Sequence, residues 1–172
     1  VKVYRSPIFE PSQLLSNINF GNTSSTHNPS IFYSRNKGPL VKIAIWMRLN
    51  ILIPDAKLTW KWFAVPLGKK LIRHEAPDII FSTSPPPTTH RIAQRLASWS
   101  KLPWLADFRD PWTNIYYYDD NPLSQLAQKK NKQLEKQVLQ SADKITVVNH
   151  GFFDKMPDSI LSKIQRITNG FD

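Results

Sequence analysis

Apolar and polar residues alternate over residues 1–5, the period of a half-buried strand. Residues 16–38 are rich in Ser, Asn, Thr and Gly with few apolar anchors, and read as a long flexible loop. Pro39 then stands where the first turn of a helix tolerates it. Leu40, Ile43, Ala44, Met47 and Ile51 follow at helical spacing and predict one apolar stripe. Pro54 ends that helix. Asp55 is placed to cap a second one over about residues 56–75, with Pro66 bending it. Residues 39–76 thus read as a helical segment.

Beyond Pro77 the pattern becomes regular. Residues 78–83 predict a short buried strand, broken by Ser84-Pro-Pro-Pro-Thr88. Thr88 or Thr89 is the expected cap of a helix with Ile92, Ala93, Leu96 and Ala97 on one face. A strand over residues 104–108 and a polar loop come next. Residues 123–141 predict a helix with Leu126, Leu134 and Val138 inward. Then come a strand over 143–149, a short helix over 151–161 and a last strand over 163–168. Strand and helix alternating at this spacing predict an α/β Rossmann-like three-layer sandwich with a mostly parallel sheet, in a single domain over residues 1–172.

The chain has 172 residues and no cysteine, which excludes a disulfide framework and a Cys-ligated metal. Its four histidines show no metal-ligand spacing, no run of eighteen apolar residues exists, and no signal-peptide pattern opens the chain. It begins without Met, inside strand-like alternation, and is expected to be a fragment. The net charge of +10 is one-sided. Residues 1–101 carry 14 Lys or Arg against 4 Asp or Glu, while residues 102–172 carry 9 of each. A basic face of this kind attracts anionic lipid, nucleic acid or a phosphorylated substrate, or is simply solvated. Trp46, Trp60, Trp62 and Phe63 beside Lys57, Lys61, Lys69 and Lys70 suit an interfacial helix on an anionic membrane surface; aromatics in a core with solvated cations are the plain alternative.

Candidate chemistry gathers at predicted strand ends, where open parallel sheets bind ligands. Asp107, Arg109, Asp110, Trp112 and Thr113 follow one strand, Ser84 and Pro85 another, and Asn149 a third. Two readings stand for the carboxylates and the guanidinium: a substrate site, or an ion pair of Arg109 with Asp107 or Asp110 that braces a loop. His90 at a helix start is either a capping or packing residue or a ligand, and Trp112 either a stacking platform or a core aromatic.

Taken in order, the series Pro77-Asp-Ile-Ile-Phe-Ser-Thr-Ser-Pro-Pro86, His90 and Pro103-Trp-Leu-Ala-Asp-Phe-Arg-Asp-Pro-Trp-Thr113 resembles the N-terminal domain of a bacterial GT-B glycosyltransferase of the large retaining group often numbered family 4. Glu135, then Ala142-Asp-Lys-Ile-Thr-Val-Val-Asn149, then Ile167-Thr-Asn-Gly-Phe-Asp172 continue the resemblance. Over Arg48-Leu-Asn-Ile-Leu-Ile-Pro-Asp55 and Trp60 it is weaker, and there residues 39–76 resemble the helical insertion of close relatives. The glycine-rich loop that opens such domains has no counterpart here.

The resemblance implies one half of a GT-B fold, carrying the acceptor side of a cleft, with a second Rossmann domain after Asp172 that holds most of the donor side. It implies transfer of a sugar from a nucleotide-sugar donor to a glycan or lipid-linked acceptor in polysaccharide biosynthesis, without a metal or other cofactor. The location implied is cytoplasmic, peripheral on the inner face of the membrane. Asp110 and Asp107 are then the expected catalytic side chains. Arg109, Trp112, Thr113, Ser84, Pro85, His90 and Asn149 are expected at the substrate, and Asn169 and Gly170 at the hinge between domains. A non-catalytic basic module that grips nucleic acid or membrane is the rival class. Against nucleic acid, the chain has no RNP, KH or zinc-finger pattern.

Overall fold

The computed structural model describes residues 2–10, 39–113, 123–149, 153, 156–168 and 170. In chain order these form α1 (Pro39–Asn50), a 3-10 turn (Leu58–Trp60), α2 (Lys61–Glu75), β1 (Ile80–Ser84), α3 (Thr88–Ser100), β2 (Trp104–Phe108), α4 (Gln125–Ser141), β3 (Lys144–Val147), α5 (Asp158–Leu161) and β4 (Ile164–Arg166). The strands lie side by side in the order β1-β2-β3-β4, and every pair is parallel. Parallel neighbours need crossovers, which α3, α4 and α5 supply. The chain is an α/β protein with an all-parallel sheet, compatible with a Rossmann-like three-layer sandwich.

Because side chains alternate along a strand, the register assigns each residue to a face. Trp104, Ala106 and Phe108 of β2 share one face with Ile145 and Val147 of β3, and all five are buried. Leu134, Val138 and Leu139 of α4 and Ala93 of α3 close over them, joined by Trp112, Phe153 and Ile160. Each such large apolar side chain contributes about 1.5–3 kcal/mol on burial. The opposite face carries Phe81 and Thr83 of β1, Leu105 and Asp107 of β2, and Lys144 and Thr146 of β3.

Several expectations need correction. Residues 2–5 form no strand; Val1 lies outside the described residues. That segment has no strand neighbour among the described residues and is held by side chains. Lys2 Nζ and Tyr4 Oη donate to Glu75 at 2.9 and 2.7 Å, and Trp60 Nε1 donates to Ser6 Oγ at 2.6 Å. Among the described side chains of α1 the buried one is Ile45, while Ile43, Met47 and Ile51 of the expected stripe are exposed. The helix meets α4 along a narrow line, where Asn50 Oδ1 accepts from the Ser124 backbone N–H at 2.7 Å.

Asp55 does not cap α2. One of its oxygens turns back onto the Lys57 N–H at 2.8 Å, and the other accepts from the Thr88 N–H at 2.7 Å, so it caps α3 from 33 residues away. Neither Thr88 nor Thr89 supplies that cap; Thr89 Oγ1 donates instead to the carbonyls of Thr83 and Pro86. Burial pushes the Asp55 carboxyl above the usual range, and its bonds with Thr88 and Lys57 pull it back. Ser84 is the last residue of β1 rather than a breaker. In α4, capped by Ser124, Leu126 faces solvent, and the inward line runs through Ala127, Asn131, Leu134, Glu135 and Val138. The predicted loop over 16–38 lies outside the described residues, as does part of the predicted helix over 151–161.

Candidate functional site at the strand ends

The register brings Thr83, Asp107 and Thr146 into one row across β1, β2 and β3. Thr83 Oγ1 donates to Asp107 Oδ2 at 2.8 Å, and Thr146 Oγ1 donates to Oδ1 at 2.7 Å. Arg109 Nε reaches the same Oδ2 at 3.1 Å. Both carboxylate oxygens are therefore engaged, and Asp107 is fixed where it stands. Hydrogen bonds to a charged group are worth about 1.5–3 kcal/mol each. The ion pair adds little, because the Arg109 side chain is mostly in water. Of the two pairings considered for Arg109, the structure contains the one with Asp107.

The loop that follows is tied down again at its far end. Trp112 is 2% exposed, and its Nε1 donates to Asn131 Oδ1 at 3.1 Å. Asn131 Nδ2 in turn donates to the Ala127 carbonyl at 3.2 Å. Thr113 Oγ1 donates to Glu135 Oε2 at 2.5 Å. Burial raises the Glu135 carboxyl above the ordinary range; hydrogen bonds from Thr113 and the Trp112 backbone, with Lys132 nearby, act against it. A loop pinned by Asp107 at one end and by Asn131 and Glu135 at the other presents Asp110 to solvent between them. Glu135 was singled out only as part of the resemblance. An acid on the inward line of an amphipathic helix is the sequence signal that marks it.

The remaining expected residues divide by burial. Pro85, Arg109, Asp110 and Asn149 are exposed, and Thr113 is half-buried. Ser84, Trp112 and His90 are buried, so Trp112 and His90 present no side-chain surface to a ligand. His90 packs on Phe108 with ring centroids 4.4 Å apart, and its Nδ1 lies 2.8 Å from Ser82 Oγ. That oxygen already accepts from Trp104 Nε1 at 2.8 Å. Nδ1 and the Ser82 hydroxyl share one hydrogen bond, and the other ring nitrogen, Nε2, is a buried atom with no partner among the described residues. Burial lowers the His90 pKa to about 4, against a small opposing pull from Asp107. Asn169 lies outside the described residues; Gly170 is exposed, with open space around it.

On the basic helices, Lys70 is exposed, Lys57 and Lys61 are half-buried, and Lys69 Nζ sits 5.1 Å from the centre of the Trp99 ring. Trp46, Trp62 and Phe63 are exposed. Among the described residues no helix is long and apolar enough to cross a membrane, and no three His, Cys, Asp or Glu side chains converge as a metal site. Compared with known proteins, the chain matches no family model and no curated protein.

Proposed function

We propose that this chain forms the acceptor-side half of a retaining glycosyltransferase, which moves a sugar from a nucleotide-sugar donor to a glycan or lipid-linked acceptor in polysaccharide biosynthesis. The observation that carries this reading is the loop after β2, clamped at both ends and holding Arg109 and Asp110 in solvent at the carboxyl end of a parallel strand. Ligands of open parallel sheets bind at that edge. The ordered motifs on residues 77–113 and 142–172 support the same class.

In this reading Asp110 orients the acceptor hydroxyl by hydrogen bonding. Asp107, bonded on both oxygens, is a positioning residue that holds Arg109 toward the leaving diphosphate. A second Rossmann-like domain supplies the rest of the donor side. The expected result is that the 172-residue chain alone turns over no nucleotide sugar. In the protein with both halves of the cleft, Asp110→Asn lowers kcat by roughly 10²-fold. Turnover by the chain alone, or unchanged kinetics in the variant, would refute the assignment.

A second reading, contact with an anionic membrane surface on the cytoplasmic side, is favoured by the outward face of α2. Trp62, Phe63, Pro66, Lys70 and Arg73 recur there at spacings of three and four, and all are exposed. A cation close to an anionic bilayer contributes about 1 kcal/mol. Changing Lys70 and Arg73 to Gln is therefore expected to weaken co-sedimentation with anionic vesicles roughly 30-fold. Equal binding to neutral and anionic vesicles would remove this reading.

A further inference from the structure

The large apolar side chains of α1 face outward. Among its described side chains Ile45 is the buried one, while Ile43, Trp46 and Met47 are 55, 53 and 37% exposed. At about 3.6 residues per turn, Ile43 and Met47, two positions either side of Ile45, fall on the side of the helix away from it. Trp46 stands beside them at helical spacing. The Ile51 N–H still bonds to the Met47 carbonyl at 2.9 Å, so Ile51 follows one turn beyond Met47 on the same side, 57% exposed. These four side chains form a continuous ridge. Single exposed apolar residues are ordinary, but a contiguous set marks a surface that meets a partner. The helix end beneath the ridge is fixed: Asn50 Nδ2 donates to the Trp46 carbonyl at 2.8 Å, and Asn50 Oδ1 accepts from the Ser124 N–H at 2.7 Å.

The charge around the ridge selects the partner. Residues 11–54 contain no Asp or Glu and carry Arg35, Lys37, Lys42 and Arg48. Lys42 is exposed at the rim, four residues before Trp46 and on its side of the helix. A second copy of the chain laid on the ridge would set these cations against their equivalents, in a molecule of net charge +10. An anionic bilayer satisfies both features, since its headgroups pair with the cations and the apolar layer beneath them takes the ridge. Tryptophan suits that boundary, because its ring is apolar and its N–H can stay hydrated.

We propose that the ridge of Ile43, Trp46, Met47 and Ile51 inserts into the boundary between headgroups and acyl chains of an anionic bilayer. The proposal rests on the membrane reading of α2 for its partner and adds a second element with a different driving force. Attraction through Lys70 and Arg73 is screened by salt, whereas burial of apolar area is not.

The chain has no cysteine, so Met47→Cys places a single thiol on the ridge. Labelled there with an environment-sensitive dye, the chain is mixed with vesicles of phosphatidylglycerol and phosphatidylcholine. The dye emission is expected to shift to the blue, and a quencher on the upper acyl chain to reduce it. Adding Ile43→Gln and Ile51→Gln is expected to lower vesicle partitioning roughly tenfold and to remove the part that survives high salt. The Tm stays level, since both side chains are exposed. Lys70→Gln with Arg73→Gln lowers partitioning at low salt and leaves the emission of vesicle-bound chain shifted. Vesicle binding with the dye still in water overturns the ridge and leaves the reading of α2 standing. A shifted dye with binding indifferent to Lys70→Gln, Arg73→Gln removes the reading of α2 and supports the ridge. Binding to neither anionic nor neutral vesicles overturns both. Dimerisation without lipid in sedimentation velocity, lost with Ile43→Gln and Ile51→Gln, would give the ridge to a second copy and overturn the proposal.

Discussion

Trp112→Ala is expected to lower the free energy of unfolding by roughly 3–5 kcal/mol, the range for removing a large aromatic from a core. The indole is almost wholly buried among the residues that join β2 to α4. Its loss opens a cavity and leaves Asn131 Oδ1 without its donor. Trp112→Phe separates these effects. It keeps most of the ring volume but strands the buried amide oxygen, at about 1–3 kcal/mol. Urea unfolding of both variants measures the two losses. A stacking platform for a sugar ring would behave in the opposite way, with stability nearly unchanged and substrate affinity reduced. An Ala variant within about 0.5 kcal/mol of the parent, the range of ordinary surface substitutions, would return Trp112 to the surface.

What the sequence conveys here depends on how local the cause is. Each strand is a short apolar run beside a break, and all four appear within a few residues of their predicted places. Helix faces were harder to read. In α4 the inward line passes through Ala127, Asn131 and Glu135, so a search for large apolar residues selects Leu126, which is off that line and 82% exposed. Asp55 has the local sequence of a cap for the next helix, yet it caps α3, because only folding brings Thr88 to it.

The candidate site shows the same division. The cluster from Asp107 to Thr113 stands out in the sequence because charges follow an apolar run. What holds Asp107, Thr83 from 24 residues away and Thr146 from 39, is set by strand register, which no local pattern contains. The alternation over residues 2–5 shows the converse: a strand-like pattern remains without strand structure when no strand among the described residues pairs with it.

Acidification is expected to weaken the fold through His90. Its pKa is about 4 in the folded chain against an ordinary 6.5. Between those values the unfolded chain binds a proton at this residue that the folded chain refuses, so stability falls as the pH drops from about 6.5 toward 4. The 2.5-unit difference corresponds to roughly 3 kcal/mol. Asp55 and Glu135 act in the opposite sense. Burial raises both carboxyls, so the folded chain keeps their protons at a pH where the unfolded chain has released them. Their contributions partly mask the histidine in the parent, and comparison with His90→Gln at each pH removes them. The stability advantage of the parent over this variant is expected to shrink by roughly 3 kcal/mol between pH 7 and pH 4, measured by urea unfolding. His90→Gln also disturbs the contact with Ser82, but that loss shifts the difference equally at every pH, so the slope carries the test. A difference independent of pH would mean that His90 takes up its proton equally in both states, and would contradict its burial against Phe108 and Trp104.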